Sequence, residues 1–104
     1  MTKTYNKLVR DRIPEIIAAD GKTCRTAVLQ QDEYIRLLDA KLNEELAEYQ
    51  DSKSMEELAD LLEVIHAVAA ARGSSFEEVE AIRKKKADKR GGFNDKIMLI
   101  DVQE

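Results

Sequence analysis

Glu44, Glu45 and Glu48 lie before a short polar break, and Glu57 and Asp60 after it, in the run KLNEELAEYQDSKSMEELADLLEVIH from Lys41 to His66. If Asp51, Ser52 and Lys53 form the bend of a helical hairpin, the mid-point near Ser52 is equidistant from Glu48 and Glu57, and from Glu45 and Asp60. Folding back then makes two acidic rungs, roughly one helical turn apart at a rise of about 1.5 Å per residue. Carboxylates so arranged can converge on a volume the size of one or two hydrated cations. A set of oxygen ligands with no Cys and no second His suits a hard cation, so Mg²⁺ is the natural occupant and Mn²⁺ its substitute. Such an ion keeps open positions for phosphate oxygens, polarises the phosphoryl group and lowers the pKa of a bound water, while a spare carboxylate takes the proton. Arg83, Lys84, Lys85, Lys86, Lys89 and Arg90, clustered later in the chain, supply cations for the remaining phosphate charge. Acids and basic clamp together imply hydrolysis of a phosphoanhydride.

The faces on which these acids fall sharpen the expectation. At about 100° per residue, Tyr34, Leu38, Leu42, Leu46 and Tyr49 form one apolar stripe, with Glu45 in its middle. On the next helix the stripe is Leu58, Leu61, Leu62, Ile65, Val68 and Ala69, with Glu57 inside its edge and Asp60 just beyond. An ionised carboxylate facing a core is costly unless it is paired or coordinated, so a cation is expected beside Glu45.

The elements that must hold these residues are helical. Asp11 can cap a short helix that carries Pro14 in its first turn and runs to about Ala19, with Ile13, Ile16 and Ile17 inward and Asp20-Gly21 as its stop. Lys22 to Leu29 reads as an extended crossing segment. Asp32 caps the first arm of the hairpin, Glu33 to Tyr49. Ser54-Met55-Glu56-Glu57 is a capping box that opens the second arm, which ends near Arg72-Gly73. The same box also gives Glu57 a purely structural alternative. Ser75-Phe76-Glu77-Glu78 starts a last helix that turns basic and stops at Gly91-Gly92. The tail from Phe93 to Val102 is apolar enough to pack as a strand-like segment.

With 104 residues, 43% of them apolar and 37% charged, and a net charge of −4, the chain reads as one soluble domain spanning residues 1–104. The fold class expected is all-α: a helical hairpin with short extended N- and C-terminal segments. A hairpin alone cannot cover both of its apolar stripes, so a four-helix-type core completed by a homodimer or higher homo-oligomer is expected. A single cysteine, Cys24, excludes an intrachain disulfide and fits a reducing cytoplasm. No run approaches the roughly 20 apolar residues of a membrane span, and no signal-length apolar run opens the chain.

Glu44-Glu45-x-x-Glu48 followed by Glu57-x-x-Asp60 resembles the EExxE…ExxD signature of the MazG-like, all-α nucleoside triphosphate pyrophosphohydrolase superfamily, which includes phosphoribosyl-ATP pyrophosphohydrolases. Asn6-Lys7-Leu8-Val9-Arg10-Asp11-Arg12-Ile13-Pro14 and Lys86-x-x-x-Arg90-Gly91-Gly92-Phe93 resemble its small house-cleaning branch. The resemblance implies that Glu45, Glu48, Glu57 and Asp60 ligate Mg²⁺, and that Glu44 positions or deprotonates the attacking water or assists the metal shell. It also implies cleavage between the α- and β-phosphates of a nucleotide substrate, giving a monophosphate and pyrophosphate. Lys86, Lys89 and Arg90 are candidates for phosphate contacts, with Lys41, Arg10 and Arg12 behind them. Eight residues separate Glu48 from Glu57, a tighter bend than the usual spacing of that superfamily.

Two other readings compete. Glu63-Val64-Ile65-His66 has the Glu-x-x-His spacing of di-iron carboxylate bundles, although both residues point away from the stripe centre. A non-catalytic dimer could bind nucleic acid through the basic helix. The negative net charge and the absence of interleaved aromatics argue against that, and it leaves the core-facing acids unexplained. Arg10 and Arg12 also have a structural alternative, pairing with the hairpin acids.

Overall fold

The computed structural model describes residues 1–103, which form four α-helices and, among the described residues, no strand. These are α1 (Ile13–Ala19), α2 (Gln31–Ser52), α3 (Met55–Ala71) and α4 (Phe76–Arg90). The all-α expectation holds. Residues 1–10 and 93–103 carry neither helix nor strand.

The helix ends follow local chemistry, with several shifts from the sequence reading. Arg12, not Asp11, is the N-cap of α1, and no side chain caps it. The chain turns earlier, with the Ile13 N–H donating to the Arg10 carbonyl (3.1 Å), which leaves Asp11 one residue too far out to cap. At the other end Gly21, at φ 79°, donates to Ala18 O (3.0 Å), and Lys22 donates to Ile17 O (3.2 Å). This paired closure is the usual reason for a glycine there. α2 starts two residues earlier than expected, so Asp32 and Glu33 sit in its first turn, where their charge suits the positive helix end. It also continues through Ser52, and the bend shrinks to Lys53 and Ser54. Lys53 takes the left-handed conformation (φ 60°) and donates its N–H to Tyr49 O (2.7 Å). The Ser54 and Ser75 hydroxyls accept from the N–H groups of Glu57 (3.2 Å) and Glu78 (3.1 Å), as both capping boxes predict.

α2 and α3 form the expected antiparallel hairpin. Its open end is tied by Arg72 to Asp39 (2.7 Å) and by Gln31 Nε2 donating to the Ala71 carbonyl (3.3 Å). α4 packs on α3 only near that end, where Phe76 stacks on His66 with ring centroids 3.7 Å apart. An apolar cavity of about 360 Å³ lies there, with Leu42, Ile65, Val68, Ala69 and Val79 in its lining.

The interior is small for this length. Among the described residues, Leu38, Val64 and Ala69 are the buried apolar ones, and Glu45 is buried as well. Leu46, Leu58 and Leu62, expected in the stripes, are exposed, and so is Ile16 of α1, a helix that packs on no other. α3 is apolar around most of its circumference, and α2 covers only the side that includes Val64. The tail does not pack as predicted: Phe93, Ile97, Met98, Leu99, Ile100 and Val102 are all exposed, because α4 leads the chain away from the hairpin. The accessible surface is 9640 Å², against roughly 5,900 Å² for a compact chain of this mass. The radius of gyration is 18.5 Å, against about 13 Å. No helix among the described residues is long and apolar enough to cross a membrane.

Candidate metal centre

Lys41, Glu44, Glu45 and Glu48 follow one another on α2 at spacings of three, one and three residues, so they share one helical face. Glu57 and Asp60, three apart, share a face of α3. The tight bend brings the faces together as the mirrored spacing predicts. Carboxylate oxygens of Glu45, Glu57 and Asp60 lie within 4.8 Å of one another, and those of Glu44, Glu45 and Glu48 form a second such group. Glu45 belongs to both. It is only 8% exposed, and its Oε2 is buried with no hydrogen-bond partner. Glu57 Oε2 is in the same condition. Glu48 lies at the solvent edge rather than inside.

Capping does not account for Glu57. Its N–H is satisfied by Ser54 (3.2 Å), but the reciprocal bond of a capping box, from the Ser54 N–H to its carboxylate, is missing. That N–H donates to Ser52 Oγ (3.2 Å) instead. The carboxyl group is left facing Glu48 and Asp60.

The electrostatics divide the acids into two kinds. Burial raises the pKa of Glu45, and the neighbouring charges of Glu48 and Asp60 raise it further against the pull of Lys41. Burial likewise raises Glu57, with Glu48 and Asp60 adding to the effect. Glu44 goes the other way: burial pushes it up, but hydrogen bonds and charge from Lys7 and Lys41 outweigh this and hold it low. Lys7 Nζ is 3.1 Å from Glu44 Oε1, and Lys41 Nζ is 3.4 Å from the same oxygen and 3.7 Å from Glu45. Arg10 Nη2 is 2.8 Å from Asp60, and its Nη1 is 3.9 Å from Glu63. Cations therefore satisfy Glu44 and Asp60 at the rim, while the two unpartnered oxygens sit at the centre.

These directions set a pH dependence. Glu45 and Glu57 hold a proton more readily in the folded chain than in the unfolded one. Their contribution to stability is fully present below the ordinary glutamate pKa and is lost as pH rises through their raised values. Metal-free protein should therefore melt at a higher temperature in mild acid than at neutral pH, and Mg²⁺ should remove that difference. The Glu44–Lys7 pair acts in the opposite sense, its contribution fading as pH falls through the lowered Glu44 value. Thermal melts across this range, with chelator and with Mg²⁺, measure the balance.

Of the expected phosphate contacts, Lys41 and Arg10 lie at the cluster. Arg12 does not, since it pairs with Glu15 (3.1 Å) on its own helix. Lys86, Lys89 and Arg90 are exposed on α4 and, among the described residues, form no ion pair with the cluster. α4 joins α3 at the open end of the hairpin, and Asp60 lies eleven residues, about 16 Å, from Ala71 at that end. Lys7 is the residue the sequence reading left out. Its position three before Arg10 in one motif was the available signal. The di-iron reading gains nothing, because His66, stacked on Phe76, is not among the clustered ligand atoms of the described residues.

A hard divalent cation fits this centre by donor type, by the like charges that need neutralising and by the unpartnered oxygens. No family model matches the chain, and no solved structure matches it. An uncharacterised protein of Mycolicibacterium smegmatis is 60% identical over 42 residues, which is 40% of this chain and 43% of that protein.

Proposed function

We propose that the protein is a Mg²⁺-dependent nucleotide pyrophosphohydrolase that hydrolyses a nucleoside triphosphate, or a phosphoribosyl-ATP-like nucleotide, between its α- and β-phosphates. The observation that carries this reading is Glu45: a nine-tenths buried carboxylate, with an unpartnered oxygen, grouped with Glu57 and Asp60. Glu45, Glu48, Glu57 and Asp60 hold the ion, or Mn²⁺ in its place. When bound, that ion supplies charge for the phosphate oxygens and acidifies a water. Glu44, kept ionised by Lys7 and Lys41, accepts a hydrogen bond from the attacking water and orients it. The water oxygen bonds to phosphorus, the bridging P–O bond breaks with its electron pair leaving on the departing phosphate, and a proton is released. The sequence resemblance to the MazG-like superfamily supports the bond assigned.

A second copy of the chain completes the core in this reading. The excess surface and the exposed Leu46, Leu58 and Leu62 support a homo-oligomer, and the single exposed Cys24 is consistent with a reducing cytoplasm. The test is product analysis across a panel of standard and modified nucleoside triphosphates and phosphoribosyl-ATP, with and without Mg²⁺. Pyrophosphate should appear only with the metal. Orthophosphate as the first product would overturn the assigned bond.

A further inference from the structure

The segment before α1 crosses both arms of the hairpin at the acid cluster. Lys7 reaches Glu44 on α2 (3.1 Å), and Arg10 reaches Asp60 (2.8 Å) on α3. Leu8, between them in sequence, is half-buried, and Asn6 at φ 47° supplies the kink just before Lys7. Asn is among the few residues that adopt this conformation readily.

The placement of these cations is informative. Counting Glu63, the cluster sets six carboxylates against three cations, Lys7, Arg10 and Lys41. If the cations served only to neutralise the acids, the deepest unpartnered oxygen, Glu45 Oε2, would be their best target. Neither Lys7 nor Arg10 contacts it. Both stop at the rim, and their side chains remain 45% and 57% exposed, which leaves N–H donors facing solvent. A lysine has three such donors and an arginine five in a planar fork. Their contacts with Glu44 and Asp60 use only part of that capacity.

From this geometry we infer that Lys7 and Arg10 form a two-point clamp for the phosphate chain of a metal-bound polyphosphate, carried by the N-terminal segment across the mouth of the acid cluster. The inference rests on the metal reading above and adds to it the residues that grip the anion. Lys7 is held in place by Glu44, and Arg10 by Asp60 with Glu63 at 3.9 Å, so their remaining donors are oriented before the substrate arrives. The metal occupies the centre, and the phosphates it carries meet the cations at the rim. The clamp recognises phosphate oxygens, so it serves a nucleotide and an inorganic polyphosphate alike.

The test uses the full chain with Lys7→Gln, Arg10→Gln, Arg10→Lys and, as a control cation elsewhere, Lys22→Gln. Circular dichroism verifies folding, Mn²⁺ binding is read from the electron paramagnetic resonance of the free ion, and calorimetry at saturating Mn²⁺ gives the affinity for inorganic triphosphate and for α,β-methylene-ATP. Lys7→Gln and Arg10→Gln should keep Mn²⁺ while weakening both anions equally, on the order of 10- to 100-fold for loss of a charge-assisted contact. Arg10→Lys should recover part of the loss, and Lys22→Gln should match the parent. Unchanged anion affinity with Mn²⁺ retained would overturn the clamp and leave the metal centre standing. Loss confined to the nucleotide would place the contact on the nucleoside and overturn the phosphate assignment. Failure of the parent to bind Mn²⁺ would overturn the metal reading itself.

Discussion

Glu45→Gln should abolish turnover, lowering it by at least about 100-fold, while leaving the chain folded and, without metal, more stable. The two effects have one cause. The Glu45 carboxylate is buried against Glu48 and Asp60, and Lys41, its one cation, is shared with Glu44. In the metal-free chain its charge is therefore a burden. Gln keeps the shape and removes the charge. Lys41 is not stranded, because Glu44 remains 3.4 Å away. A change that harms activity and helps stability separates a functional charge from a structural one. Steady-state rates and denaturant melts in chelator measure both. A folded variant that retains turnover, or one destabilised by several kcal/mol, would contradict the assignment.

Leu62→Asp should give the largest effect on assembly. Leu62 is 45% exposed and Leu58 37%, and they lie four residues apart on α3, facing away from α2. The accessible surface of 9640 Å² exceeds that of a compact chain by more than one side of a large obligate interface typically buries, about 1,000–2,500 Å². The parent, at 11.8 kDa per chain, should sediment at no less than twice that mass and melt at a temperature that rises with concentration. An aspartate at position 62 would have to be desolvated in the contact, at a cost of several kcal/mol, so the variant should sediment as a single chain or fail to fold. The milder Leu62→Ala should show weakened association in a chain that still folds. A monomeric parent would contradict the account.

The hairpin was legible because its signals are local and redundant. Acids mirrored about the bend, two capping boxes and an acid in the middle of an apolar stripe all agree, and the structure brings Glu45, Glu57 and Asp60 together accordingly. The misplaced features depend on what lies beyond the local sequence. Val64 and Ala69, not Leu58 or Leu62, are the buried residues of α3, because a helix apolar on most sides does not specify which side its first neighbour takes. The tail is apolar yet uncovered, since periodicity records that a surface needs burial and not what buries it. Charge and the Lys86-x-x-x-Arg90-Gly91-Gly92-Phe93 motif group Lys86, Lys89 and Arg90 with the acids, whereas the α3–α4 connection sets them apart from the cluster within one chain. Lys7 is marked only by its place in the Asn6–Pro14 motif, because a lysine in an irregular segment has no period that points to a site.

The central claim, that the hairpin acids form a divalent-cation centre, is tested most directly by Mn²⁺ titration of the parent and Glu45→Gln, reading the free ion by electron paramagnetic resonance. The parent should take up the ion and Glu45→Gln should lose most of that uptake, with Mg²⁺ competing for the same site. Equal uptake by both proteins, or none by the parent, would contradict it.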